Sequence, residues 1–265
     1  MNTALRYPGN ALSPMQWRRF WRDGYVRVES LLNKEELSEL RSAHDRLRTE
    51  ARASGDFGNF IDLDAAEEGD QVMNIPQVCQ RDIAFQRLLY HPHLLDIVED
   101  LIGCNIQLFH DHLLHKPPEY GGPVFWHQDN QAWQSMPASN ISCWLTFDDA
   151  DADNGALRYL RGSHRLSLGL DTEADTGRLL EMDRLIAAGP IDTVDARAGD
   201  AIFHHCLTLH SSLPNRSKRP RRAHSIIYTA PGTRYGRIPP WGAATNGGLL
   251  PISFAHPLLR SAHAG

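Results

Sequence analysis

Apolar positions recur at helical spacing up to about residue 103 and alternate in strand fashion beyond it. Ser13-Pro14 predicts an N-cap followed by proline at the first helical position, and the helix runs to about Asp23-Gly24. Tyr25-Val26-Arg27-Val28 alternates like a short strand. Asn33 with Glu36 three residues on makes a reciprocal cap, after which Leu37, Leu40, His44 and Leu47 return at helical spacing to about Arg52. Residues 54–70 form a polar connection, longer than most and therefore a candidate functional loop. Two more helices are predicted over about 81–90 and 92–102, parted at His91-Pro92 and stopped at Gly103.

From Cys104 the period is two. Strands are predicted at about 104–115, 123–127, 141–148, 156–160, 191–195, 200–207 and 222–230. Between them stand the turn signals Pro117-Pro118, Gly121-Gly122, Asp153-Asn154-Gly155, Ala198-Gly199-Asp200 and Pro214-Asn215. Many short strands with such punctuation imply a jelly roll or barrel, with the helical first third covering one face. With no repeat or linker-like stretch, one domain is expected over 1–265: a helical cover at about 13–103, a β core at about 104–232 and an irregular tail at 233–265.

Charge and composition narrow the function. Lys+Arg minus Asp+Glu is 27 − 32 = −5, without a basic block, which argues against a nucleic-acid partner. No run of about 18 apolar residues exists to span a membrane, and Met1 to Pro8 carries no signal-peptide core. Cys79, Cys104, Cys143 and Cys206 form no Cys-x-x-Cys pair and read as reduced thiols of a cytoplasmic protein. Fourteen histidines are more than such a chain needs and direct attention to a metal site.

The sharpest local pattern is Trp126-His127-Gln128-Asp129 at a strand end. On extended backbone His127 and Asp129 share a face and can offer an imidazole nitrogen and a carboxylate oxygen to one ion. His-x-Asp alone is common by chance. His210, about 80 residues downstream after a late strand, changes its weight. A jelly roll can bring the two strand ends together, giving the two-His-one-carboxylate set of non-haem Fe(II) oxygenases. Three positions then stay open on the ion, two for a bidentate co-substrate and one for O₂. Arg219-Pro220-Arg221-Arg222 offers a guanidinium able to clamp a carboxylate through paired hydrogen bonds. His110 and His112 share a strand face and His115 takes the other, which disfavours a three-histidine site. His204 and His205 lie within a strand and are expected to pack or to support the site.

Five stretches in order carry a family resemblance: Leu-Leu-His-Lys-Pro-Pro (113–118), Trp-His-Gln-Asp-Asn (126–130), Asn-Gly-Ala-Leu-Arg-Tyr-Leu-Arg-Gly-Ser-His (154–164), Ala-Gly-Asp-Ala-Ile-Phe-His-His (198–205) and His-Ser-Ser-Leu-Pro-Asn-Arg-Ser (210–217). Over roughly residues 15–232 the chain resembles the phytanoyl-CoA dioxygenase (PhyH) family of Fe(II)/2-oxoglutarate-dependent oxygenases. The resemblance implies a mainly β fold, a double-stranded β-helix (a cupin-like jelly roll) flanked by N-terminal α-helices. It implies that His127, Asp129 and His210 hold Fe(2+). By the same match Arg221 binds the distal carboxylate of 2-oxoglutarate, Ser212 contacts that carboxylate, and Trp144 lines the co-substrate. His112 matches a co-substrate contact of some members. Asn74 and Trp133 are expected at the substrate, and Gly162-Ser163-His164 is expected to be a structural turn. The His210-to-Arg221 spacing of the family selects Arg221, not Arg219 or Arg222, as the inward guanidinium.

The implied activity is hydroxylation of an unactivated C–H bond of a small-molecule metabolite, with O₂ consumed and succinate and CO₂ released, by a monomer or homodimer. Desaturation or ring closure with the same cofactors is the near alternative. A cupin-type isomerase or binding protein is the distant one, disfavoured by Arg221 with Ser212. Asp129 occupies the position that halogenases of this group leave to halide. Substrate choice is expected to lie in residues 55–75, 130–140 and Arg234–Trp241.

Overall fold

The computed structural model describes residues 7–54, 73–166, 176–236 and 248–262. Along the chain these form α1 (Pro14–Asp23), β1 (Tyr25–Val28), α2 (Lys34–Ser54), β2 (Met73–Pro76), α3 (Ile83–Leu89), α4 (Pro92–Ile102), β3 (Ile106–Lys116), β4 (Val124–His127), α5 (Asp129–Trp133), β5 (Ser135–Met136) and β6 (Ile141–Thr146). There follow β7 (Leu157–Leu160), α6 (Thr176–Ala188), β8 (Ile191–Val194), β9 (Ala201–His205), β10 (His210–Ser212), β11 (Arg221–Thr229), β12 (Arg234–Tyr235), β13 (Gly248–Leu249) and β14 (Leu258–Arg260).

The helices begin and end where local chemistry dictates. Ser13 caps α1 in a reciprocal box with Gln16, and Gly24 closes it at φ 90°. A Cβ on Gly24 would meet His164 Nδ1 and Thr208 Oγ1 at 2.6 Å, so glycine is required there on two counts. Asn33 and Glu36 exchange backbone hydrogen bonds ahead of α2, and His91 caps α4 before Pro92.

The strands pair antiparallel in two main sheets. The major sheet runs β1-β9-β6-β11-β3-β14, with β2 also beside β3; the minor sheet runs β4-β10-β7-β8. The fold is a double-stranded β-helix. The outer face of the major sheet buries Cys143, Leu145, Phe203, Ile226 and Tyr228 against Phe20, Leu40, Leu47, Phe85, Leu94 and Val98 of the helices. Truncating a ring such as the fully buried Phe85 would cost about 3–5 kcal/mol. Strand alternation sends the cavity-lining residues inward. Cross-strand rows Asn74–Leu114–Ala223, His112–Ser225–Trp144 and His110–Ile227–Ser142–His204 step across the sheet. The register slips at Ile227/Tyr228, which leaves Phe109 as an extra residue in β3.

Several expectations need revision. The predicted strands at 104–115, 141–148 and 200–207 are observed as β3, β6 and β9, shorter at one or both ends by one or two residues. Strand β2, helix α6 and the three-residue β10 had no prediction. The tail expected to be irregular contributes β12, β13 and β14, and β14 adds an edge to the major sheet beside β3. Strands of two or three residues are too short to display a period. Of the polar connection, residues 55–72 lie outside the described residues. Among the described residues no helix is long and apolar enough to cross a membrane.

Candidate metal and co-substrate site

Two strand ends and one helix start meet at the mouth of the roll. His127 ends β4, and its Cα partner across the minor sheet is His210, which begins β10. Asp129 is not on extended backbone. Gln128 caps α5 and Asp129 is its first residue, so it reaches the histidines through a strand-to-helix turn and not through strand alternation. That turn is pinned from a distance: Gln128 Nε2 donates to Leu207 O at 2.5 Å and Asn130 N–H donates to Cys206 O at 3.1 Å.

One candidate ligand atom from each of His127, Asp129 and His210 lies within 4.8 Å of the others. Asp129 Oδ1 is 3.6 Å from His127 Nε2 and 3.7 Å from His210 Nε2. His127 Nδ1 donates to Phe125 O at 2.7 Å and His210 Nδ1 donates to Thr208 O at 3.0 Å. A carbonyl only accepts, so both rings carry their proton on Nδ1 and turn an Nε2 lone pair toward Asp129. Burial, with His127 adding to it, pulls His210 down to about 3, which leaves its lone pair available at neutral pH. Burial pushes Asp129 upward, but His210, His127 and His204 overcome it and hold the carboxyl well below the usual range. Burial lowers His127 as well, but Asp129 and the Phe125 carbonyl outweigh it and raise the ring above its ordinary value, so metal binding there would displace a proton. Two imidazoles and one carboxylate in this geometry suit a divalent iron.

A cavity of about 810 Å³ runs from this cluster into the roll. At its inner end Arg221, 1% exposed, donates from Nη1 to Gly155 O at 3.1 Å and lies 5.3 Å from the Trp144 ring centroid. Gly155 adopts φ +95°, and a Cβ there would approach Leu213 O to 2.7 Å, so glycine lets this carbonyl reach the guanidinium. Burial draws Arg221 down to about 10. Arg221 Nε, Ser212 Oγ and Trp144 Nε1 line the same cavity and are buried without a hydrogen-bond partner. Those donors around a buried positive charge fit one carboxylate group of a dicarboxylic acid.

Arg222 takes the opposite face, bound to Asp148 at 2.8 Å and Asp45 at 3.1 Å. Arg219 is exposed and pairs with Asp151 at 2.7 Å. His112 lines the cavity with Nδ1 buried and unpartnered, its ring 5.2 Å from that of His110. Burial lowers His112 to about 4 and His110 to about 3, so both are neutral. His115 lies on the other face against His44, ring to ring at 5.3 Å. Asn74 on β2 lines the cavity with Oδ1 buried and unpartnered. Trp133 is both wall and packing: it lines the cavity and sets its ring on Phe109 at 5.3 Å. Ser163 Oγ ties the turn after Gly162 to Leu160 O and Leu209 N. His205 faces away from the cavity, toward Trp21 and His164.

The cavity has further walls that sequence reading did not single out: Ser142, Ser225, Ile227, Leu157, Phe125 and Gln131. Ser142 was within reach, since it stands two residues before Trp144 on one strand. Ser225 and Ile227 follow from the same parity counted from Arg221. Phe125 follows by the same parity from His127 on β4, whereas Gln131 lies on the short helix α5, where strand parity does not apply.

Fold and site together define a class, the jelly-roll oxygenases that use iron held by two histidines and a carboxylate. A family model described as phytanoyl-CoA dioxygenase (PhyH) matches residues 20–223, and the chain belongs to that family of Fe(II)- and 2-oxoglutarate-dependent dioxygenases. The ectoine dioxygenase of Bordetella parapertussis is 26% identical over 242 residues, covering 83% of this chain and 76% of that protein. Among solved structures, the alpha ketoglutarate-dependent carbocyclase SnoK of nogalamycin biosynthesis matches with a TM-score of 0.78 at 24% identity, over 94% of this chain and 96% of that one. The epimerase SnoN in complex with Fe3+, alpha ketoglutarate and nogalamycin RO matches with a TM-score of 0.70 at 25% identity, over 93% and 98%.

Proposed function

We propose that this dioxygenase hydroxylates an unactivated C–H bond of a small-molecule metabolite, with His127, Asp129 and His210 as the iron ligands. The observation that carries the reading is the buried Arg221 at one end of a cavity whose other end holds that cluster. In this reading Arg221 and Ser212 bind the far carboxylate of 2-oxoglutarate, Trp144 flanks its chain, and His112 borders it from β3. Iron, when bound, couples oxidative decarboxylation of 2-oxoglutarate to oxidation of the substrate, giving succinate and CO₂. The side chains orient both reactants and exclude water.

A volume of about 810 Å³ is ample for a co-substrate and a second small molecule together. We assign the remaining space to the primary substrate, walled by Trp133 and by Asn74, whose unpartnered Oδ1 is a ready acceptor for a polar group. All four cysteines are free thiols, which supports a cytoplasmic setting.

The test is succinate formation from Fe(II), O₂ and 2-oxoglutarate, with and without a panel of metabolites. His127→Ala and His210→Ala should abolish it while remaining folded; near-normal turnover by either variant refutes the ligand set. A coupled product that gains one oxygen atom from O₂ supports hydroxylation. A product that loses two hydrogens or inverts a centre without gaining oxygen assigns desaturation, ring closure or epimerisation instead.

A further inference from the structure

We propose that His204 is a positioning residue that, together with Ser142, holds Asp129 to the metal by one oxygen only. The inference rests on the assignment of His127, Asp129 and His210 as ligands and adds a supporting pair behind the carboxylate. Asp129 Oδ1 faces the two imidazoles, whereas Oδ2 accepts from Ser142 Oγ at 2.8 Å and from His204 Nε2 at 3.1 Å. Both donors come from one cross-strand pair, since Ser142 on β6 is the Cα partner of His204 on β9. The rigid ladder of the major sheet thus grips the carboxylate that a short helix delivers.

The tautomer of His204 is fixed from behind. An ionised carboxylate only accepts, so Nε2 carries a proton, and in that tautomer Nδ1 is left as an acceptor. Tyr159 O–H, 3.0 Å from Nδ1, donates to it. Tyr159 is fully buried and held in turn by its stack on Tyr25, with centroids 4.3 Å apart and planes 11° apart; Tyr25 O–H reaches Asp192 Oδ2 at 2.5 Å. The His204 side chain is 4% exposed, so no solvent competes for either nitrogen.

The consequence is chemical. An ion with six positions and three protein ligand atoms keeps three for the bidentate co-substrate and O₂. A carboxylate that supplied both oxygens would take one of those three. Two donors on Oδ2 hold that oxygen back and aim Oδ1, and outer hydrogen bonds of this kind typically govern metal affinity by about 10- to 100-fold.

The experiment measures Co(II) affinity of the full chain by calorimetry, with the visible cobalt spectrum recorded with and without 2-oxoglutarate. His204→Phe should weaken Co(II) binding on the order of 10- to 100-fold. His204→Gln, whose amide N–H can still donate to Oδ2, should recover most of that loss, which a purely structural role would not. Tyr159→Phe should weaken binding less than His204→Phe and change the cobalt spectrum. Wild-type affinity in His204→Phe overturns the proposal; should His204→Phe fail to fold, wild-type affinity in Tyr159→Phe overturns it. His127→Ala is the control: if it binds Co(II) like the wild type, the ligand assignment itself fails, and if it loses Co(II) while His204→Phe does not, only the role of His204 fails.

Discussion

Arg221→Ala should cost the protein its hold on 2-oxoglutarate while sparing its fold. The guanidinium is 1% exposed, and its contacts are a carbonyl at 3.1 Å and an indole face at 5.3 Å, neither of them charged. Burial lowers it to about 10, with the more distant Asp148 giving only partial support, so the site lacks a counter-charge that a carboxylate would supply. Removing the buried partner of such a pair costs about 2–5 kcal/mol, or roughly 30- to 5,000-fold in affinity. The apo fold should lose little, because the deleted packing is offset by relief of a poorly compensated charge. Arg222 is the mirror case. It joins Asp148 and Asp45 on the helix-covered face, and its hydrogen bonds to charged partners contribute about 1–3 kcal/mol to folding. Thermal denaturation of Co(II)-loaded protein separates the two. At a 2-oxoglutarate concentration about 100 times the wild-type Kd, the ligand stabilises the wild type by about 2.7 kcal/mol. Arg221→Ala should show almost none of that shift, and its apparent KM in the succinate assay should rise in step. Arg221→Lys, charged but without the paired fork, should fall between. Arg222→Ala should melt lower yet keep the full ligand shift. The opposite pairing of outcomes would show that the inward residue of β11 has been misidentified.

Three other outcomes are expected. Trp133→Phe, which preserves most of the contact with Phe109, should lower coupled product per succinate while the melting temperature stays within a few degrees; an equal fall in product and succinate would make Trp133 a packing residue only. Wild-type enzyme in chloride buffer should give no chlorinated product, because Asp129 as the proposed third ligand would fill the coordination position a halide needs, and detection of one would falsify that reading. The apo protein should lose stability as pH falls from 7 to 5. Burial lowers His44 to about 4 and His115 to about 3, so the folded state stays neutral while the unfolded chain takes up protons below about 6.5. Stability is therefore complete above that pH and drains away toward the folded values, by about 2 kcal/mol per buried histidine at pH 5. A melting temperature independent of pH over this range, or one equally steep in His44→Gln, contradicts it.

Local rules made the helical cover and the long strands legible. Caps at Ser13, Asn33 and His91 act within four residues of their targets, so the starts of α1, α2 and α4 could be read directly. Long strands between turn signals declare themselves by their residue pattern, as β3, β6 and β11 do even with both faces largely buried. What escaped depends on partners distant in sequence. Strand β10 has three residues and exists because β4 and β7 flank it. Strand β14 is defined by its pairing with β3, about 150 residues earlier. No property of Leu258-Leu259-Arg260 alone distinguishes it from a loop.

The same division runs through the site. Residues carried by the major sheet obey parity: once Arg221 is set inward, Ala223, Ser225 and Ile227 follow on β11, and Ser142 with Trp144 follows on β6. The co-substrate wall is thus recoverable from periodicity plus one anchor. The cluster at the mouth is not. His127 and Asp129 do come together, but the strand-face argument gives the wrong cause, because the backbone turns into α5 between them. Their approach is secured by Gln128 and Asn130 reaching Leu207 O and Cys206 O, and by Ser142 and His204 taking hold of Oδ2. Each of those contacts spans between 13 and 79 positions of chain. A pattern of two letters three positions long could not encode them. The jelly-roll topology allows His210 to reach His127, and the ordered run of five family stretches, which samples strands on both sides of the roll, is what singles out that pairing.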